Sequence, residues 1–185
     1  MTQNASGFIP GSTTGSMLTA ISDTHGTDNH RLTGRTLDAV READHVLHAG
    51  DFMTEQVLDA IDAESDELTG VVGNNDRPAV RARLSDVATV SWEELTIVVV
   101  HGHEHTETAL GMLARQENAD IVVVGHSHKP VLTDFGGWTL VNPGSYADPR
   151  RYQPAHAELD VMAGDVRVRL RSPDGTPIST TIVER

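Results

Sequence analysis

Five apolar runs in this chain each close on a residue able to bind a metal ion: LTAIS on Asp23, VLHAG on Asp51, GVVG on Asn74, IVVV on His101 and IVVVG on His126. Close behind them stand His25, Asp76, His103, His105 and His128. Taken one at a time, each has a plainer use. Asp23 suits a helix cap, aspartate and asparagine suit turns, and a lone histidine is more often structural than a ligand. Five elements unrelated by any repeat ending alike is a stronger signal, because ligand sites in open α/β sheets gather at the carboxyl ends of the strands. A mixture of carboxylate, amide and imidazole favours manganese, iron, cobalt, nickel or zinc over a cation that prefers oxygen alone. Where one carboxylate bridges two such ions about 3.5–4 Å apart, the pair can hold the attacking and leaving oxygens of a phosphoryl displacement. The chain has no cysteine, so any metal is held by nitrogen and oxygen, and disulfides, zinc ribbons and thiol nucleophiles are excluded.

The elements that must position these residues alternate along the chain. Strands are expected at 17–22, 45–50, 67–73, 96–102 and 120–126, and helices at 31–43, 54–63 and 106–118, with a short one around 77–84. The unbroken Val/Ile runs of TIVVVHG and DIVVVGH suit strands covered on both faces. After residue 130 the helical signal stops. Residues 131–137 and 138–142 form one expected hairpin through Gly136–Gly137, and 155–162 and 166–172 a second through Ala163–Gly164–Asp165. The result is an α/β core with antiparallel C-terminal strands. Residues 1–16 are polar and Gly/Ser/Thr-rich, and read as a flexible extension before a single domain over 17–185.

The formal net charge is −13, from 27 acidic and 14 basic residues, and Lys129 is the only lysine. Such an acid excess fits a protein of a salt-rich cytoplasm, where ionic strength screens self-repulsion. It argues against tight, non-specific nucleic-acid binding, since no basic stripe is available to neutralise phosphates. A short nucleotide-like substrate stays compatible, because bound metal supplies positive charge locally. No apolar stretch approaches the roughly 20 residues that span a bilayer, and no signal-peptide pattern opens the chain, so the expected location is the cytoplasm.

The motifs Asp23-Thr24-His25, Gly50-Asp51, Gly73-Asn74-Asn75-Asp76, His101-Gly102-His103 and Gly125-His126-Ser127-His128 together resemble the five ordered motifs of the calcineurin-like metallophosphoesterases. The closer likeness is to the small single-domain phosphodiesterases of bacteria and archaea. It runs from about residue 17 to residue 165 and takes in Asn142-Pro143-Gly144-Ser145. The resemblance implies two stacked mixed β-sheets flanked by helices and a centre of two divalent ions, manganese first, with nickel, cobalt, iron or zinc as alternatives. It implies that Asp23, His25 and His128 hold one ion and Asn74, His101 and His126 the other, with Asp51 bridging. A hydroxide shared by the ions would then attack phosphorus in line. The implied substrate is a small phosphodiester or nucleotide-like ester.

One position departs from the family. Many members carry histidine after the metal-binding asparagine of the third motif; here Asn75 follows Asn74. An amide can hydrogen-bond a leaving group but cannot shuttle a proton, which favours diesters and activated aryl esters over alkyl monoesters. His103 is the expected substitute donor, ahead of His105. Asn142 and Ser145 are read equally as neighbours of the site and as a turn, and Arg150 and Arg151 as plain surface. The segment His101-Gly-His103-Glu-His105 is also similar to the HxHxDH cluster of the metallo-β-lactamase superfamily, but that cluster comes early in its chain and carries Asp-His, whereas Thr106 follows here. The more serious alternative is a non-catalytic scaffold of the same fold, although all seven ligand positions are filled. A nuclease is weakened by the missing basic surface. Strands 131–142 offer an edge for a homodimer, which no residue decides.

Overall fold

Strands that are apolar on both faces need cover on both faces, and the chain meets that need by stacking two sheets and placing helices outside each. The computed structural model describes residues 15–185; the extension expected over 1–16 lies almost wholly outside them. The first sheet has the order β11-β10-β9-β1-β2-β3. In it β1 (Met17–Ile21), β2 (His45–His48) and β3 (Leu68–Gly70) run parallel, and β9 (His156–Met162), β10 (Asp165–Arg171) and β11 (Pro177–Val183) extend it antiparallel. The second has the order β4-β5-β6-β8-β7. Its centre, β5 (Leu95–Val100), β6 (Ile121–Val124) and β8 (Thr139–Asn142), is parallel, and β4 (Val87–Trp92) and β7 (Val131–Asp134) flank it antiparallel.

The period of two explains the layers. Ile97 and Val99 of β5 and Ile121 and Val123 of β6 face Leu18, Ala20 and Leu47 between the sheets. Val98, Val100, Val122 and Val124 take the opposite face, under Leu110 and Ala114 of α4 (Glu107–Glu117). On the far side, Ile21, Val46 and Phe52 are covered by Val40 of α1 (Gly34–Glu42), Leu58 and Ile61 of α2 (Glu55–Asp62) and Val80 of α3 (Pro78–Arg81). The expected architecture of two mixed sheets flanked by helices is the one observed.

Local signals set several ends. Thr54 and Thr106 cap α2 and α4, their hydroxyls accepting from Val57 and Ala109 backbone N–H groups, and Asn118 closes α4 in the left-handed region. The helix expected over 31–43 starts later, at Gly34, because Arg31 has φ of 56° and Thr33 is extended as the N-cap. Two strands were not anticipated, β4 and β11. Both are edge strands with one face open, and in VATVSW and PISTTIV the apolar residues are interrupted by Ser and Thr and form no unbroken run. The two C-terminal hairpins form as expected but part company: β7 and β8 join the second sheet, β9 and β10 the first.

Candidate metal centre

The parallel strands of both sheets end at one edge, and the loops leaving them bring the strand-end residues together. Asp23 follows β1, Asp51 β2, Asn74 β3, His101 β5 and His126 β6. Two groups of ligand atoms, Asp23–His25–His128 and Asp23–Asp51–His101, each lie within 4.8 Å of one another.

Asp23 is fully buried. Its Oδ2 accepts from the Ser22 hydroxyl (2.6 Å) and the His126 backbone N–H (3.0 Å). Its Oδ1 is buried with no hydrogen-bond partner, and lies 3.4 Å from His128 Nε2 and 3.8 Å from His25 Nε2. A buried carboxylate oxygen left without a donor is costly; a cation at that point removes the cost. Asp51 Oδ2 lies 3.4 Å from His25 Nε2 and 3.4 Å from His101 Nε2, so one oxygen faces both groups. Asn74 Oδ1 is 3.0 Å from His101 Nε2 and 3.0 Å from His126 Nδ1. His25 and His128 approach Nε2 to Nε2 at 3.3 Å. Lone pairs thus converge on two neighbouring points, as ligands of a nitrogen- and oxygen-binding metal do.

Backbone carbonyls fix which ring nitrogens face inward. His101 Nδ1 donates to the Ala49 carbonyl at 2.6 Å, and His128 Nδ1 to the Asp148 carbonyl, which leaves each Nε2 for the centre. Electrostatics follow the geometry. Burial alone would lower the His101 and His25 pKa values, but the adjacent Asp51 and Asp23 carboxylates outweigh it and raise both. Burial would raise Asp51, but hydrogen bonds from His101 and Asn75 hold it well below the usual carboxylate range. Asp51 therefore stays ionised and calls for positive charge.

Two features were illegible in the sequence. Asp23, His25, Asp51, His126 and His128 all have φ between 43° and 64°, a region that L-residues other than Asn, Asp and His seldom occupy, and such strain clusters at functional sites. The second is the support. Asp76 carboxylate oxygens accept from the backbone N–H groups of Gly73 (2.7 Å), Met53 (2.7 Å) and Asp51 (3.2 Å), which ties the third loop to the second. Burial drives the His48 pKa down to about 3, so the ring is neutral; Nδ1 accepts from Gly50 N–H, and Nε2–H is left to donate to the Thr24 hydroxyl. His48 sits in β2 with the alternation of any buried strand residue, and nothing in HVLH marks its partners.

The other singled-out residues fall in different places. The Asn75 side chain donates to Asp51 Oδ2 (2.7 Å) and its backbone N–H to Oδ1 (2.8 Å), so the amide is engaged by the candidate bridging carboxylate. His103 is exposed, with its ring centroid 5.4 Å from that of His101 and 6.1 Å from that of His126. His105 is half-buried, with Nδ1 unpartnered. Asn142 Nδ2 donates to the Gly125 carbonyl and Ser127 Oγ, and the Ser145 hydroxyl to the Asp23 carbonyl, so both brace ligand loops. Arg150 and Arg151 are exposed, beside Asp148 and Tyr152.

Comparisons with known proteins place the chain in a family. The family model described as the calcineurin-like phosphoesterase superfamily domain matches residues 17–164. A probable metallophosphoesterase of Methanothermobacter thermautotrophicus is 29% identical over 147 residues, covering 75% of this chain and 82% of that protein. A phosphodiesterase of Methanocaldococcus jannaschii is 24% identical over 110 residues, 54% of this chain and 65% of that protein. Among solved structures, Vps29 of Chaetomium thermophilum superposes with a TM-score of 0.77 at 16% identity, covering 94% of this chain and 99% of that one.

Proposed function

We propose that this chain, which belongs to the calcineurin-like phosphoesterase superfamily, is a metal-dependent phosphodiesterase acting on small, nucleotide-like diesters. The observation that carries the reading is Asp51 Oδ2, placed 3.4 Å from one imidazole of each ligand group. Asp23, His25 and His128 would hold one divalent ion, Asn74, His101 and His126 a second, and Asp51 both. Two ions so held would bring the pKa of a water towards neutrality and neutralise charge on the phosphoryl oxygens.

The chain's own residues orient and protect this chemistry. Ser22 and the His126 N–H fix Asp23, the Ala49 and Asp148 carbonyls fix His101 and His128, and Asn75 acts through Asp51, holding both of its oxygens. With Asn75 so engaged, His103 is the group free to give a proton to a departing alkoxide. A proton donor at one remove from the ions suits diesters and aryl esters better than alkyl monoesters. The mixed donor set suits manganese, nickel, cobalt, iron or zinc, with manganese first by the family resemblance, and the charge of −13 supports a salt-rich cytoplasm as the setting. Among the described residues no helix is long and apolar enough to cross a membrane.

Hydrolysis of bis(p-nitrophenyl) phosphate and p-nitrophenyl phosphate in high salt, by chelator-stripped protein resupplied with manganese, nickel, cobalt or zinc, tests the reading. The expected result is metal-restored cleavage with the diester preferred. A folded, metal-loaded protein that cleaves neither would favour a non-catalytic role.

A further inference from the structure

Arg31, Tyr146, Ala147, Pro154 and Pro173 line a cavity of about 320 Å³; one wall is bonded to a candidate ligand, and two others adjoin in sequence residues bonded to two more. Arg31 Nη2 donates to the carbonyls of His25 (3.2 Å) and Thr24 (3.5 Å). Tyr146 follows Ser145, whose hydroxyl donates to the Asp23 carbonyl, and precedes Asp148 by two residues, where the carbonyl accepts from His128 Nδ1. The cavity is therefore walled by segments that brace the loops carrying Asp23, His25 and His128. A larger cavity of about 410 Å³, walled by residues of the β7–β8 hairpin and β11, has no such tie to the ligand loops.

The chemistry of the smaller cavity is specific. Its walls are an aromatic ring, an alanine and two prolines, with one guanidinium. The Tyr146 hydroxyl is hydrogen-bonded to Thr33 Oγ1 at the N-cap of α1, which fixes the ring. Arg31 differs from the arginines of β10, whose charges are matched by Asp160 and Glu158. Among the described residues it bonds only carbonyl oxygens and pairs with no carboxylate, in a chain of net charge −13. Its backbone is also left-handed, with φ of 56°. A largely apolar cavity with one guanidinium unpaired by any carboxylate suits an aromatic heterocycle joined to a phosphate, since the guanidinium can stack on the ring or bind the anion.

We infer that this cavity is the subsite for the nucleoside group of a phosphodiester substrate, with the base against Tyr146 and the prolines and Arg31 over its edge or its phosphate. The inference rests on the phosphodiesterase reading and adds the class of ester group that the site selects.

Calorimetric titration of the manganese-loaded protein with AMP and with methyl phosphate tests it. Base–aromatic stacking is worth roughly tenfold or more in affinity, so wild type is expected to bind AMP at least about tenfold tighter than methyl phosphate. Tyr146→Ala should bring the ratio close to one, Tyr146→Phe should keep it, and Arg31→Gln should reduce it. Equal affinities in wild type, or a ratio unchanged by both Tyr146→Ala and Arg31→Gln, overturns the subsite. If the ratio behaves as expected and bis(p-nitrophenyl) phosphate is nonetheless not cleaved, the subsite stands and the phosphodiesterase reading falls.

Discussion

His103 leaves the loop after β5 with its side chain 31% exposed and no bond to any candidate ligand, while the amide of Asn75 is taken up by Asp51. The two residues that sequence reasoning placed beside a leaving group thus separate in role. His103→Ala should keep its metal and slow alkyl diesters by about 10²-fold, the low end of what a general acid contributes. p-Nitrophenyl diesters should suffer far less, because p-nitrophenolate departs without a proton. Equal slowing of both ester types, measured as kcat with metal content checked in parallel, would rule His103 out as the donor. Ligand types at strand ends were legible because each follows an apolar run. The left-handed backbone of Asp23 or His126 was not, since φ depends on what the loop must reach, and His126 N–H must reach Asp23 Oδ2.

Elements place these residues, and glycines set how closely the loops pack. A Cβ on Gly125 would stand 2.0 Å from Ser22 Oγ and 2.9 Å from Asp23 Oδ2, and one on Gly73 would stand 2.1 Å from Asp51 Oδ1. Away from the centre, Glu158 of β9 is buried among His156, Arg35 and Arg171. Burial alone would raise its pKa, but hydrogen bonds from His156 and Arg35 outweigh that and hold it at about 2, against 4.5 unperturbed. A carboxylate depressed on folding stabilises fully above its unfolded pKa and loses that stabilisation as pH falls through its folded one. Glu158 should therefore contribute on the order of 3 kcal/mol that disappears between pH 4.5 and 2. In thermal denaturation followed against pH, wild-type Tm should drop through that window. Glu158→Gln, already less stable at pH 7, should respond less. Parallel curves would remove Glu158 from the acid response. Helices with threonine caps and strands with Val/Ile runs could be read in advance. The edge strands β4 and β11 could not, because their pairing with β5 and β10 is a tertiary fact that a short, half-exposed sequence does not encode locally.

Across the whole molecule, two sheets with interleaved faces turn five strand ends into one centre. Parallel pairing of β1 with β2 and of β5 with β6 points their carboxyl ends the same way, and stacking through Ile97, Val99, Ile121 and Val123 against Leu18 and Leu47 brings the two edges together. That the C-terminal strands divide between both sheets was beyond the sequence, since hairpin signals fix neighbours and not the sheet they join. The central claim is that this stacking builds a centre of two ions sharing Asp51. Metal equivalents bound by purified, folded wild-type protein and by Asp51→Asn after manganese loading and desalting, with diester turnover read on the same samples, test it most directly. The account predicts two equivalents and turnover in wild type, with both ions and turnover lost in Asp51→Asn. Two retained equivalents and normal turnover in that variant would contradict it.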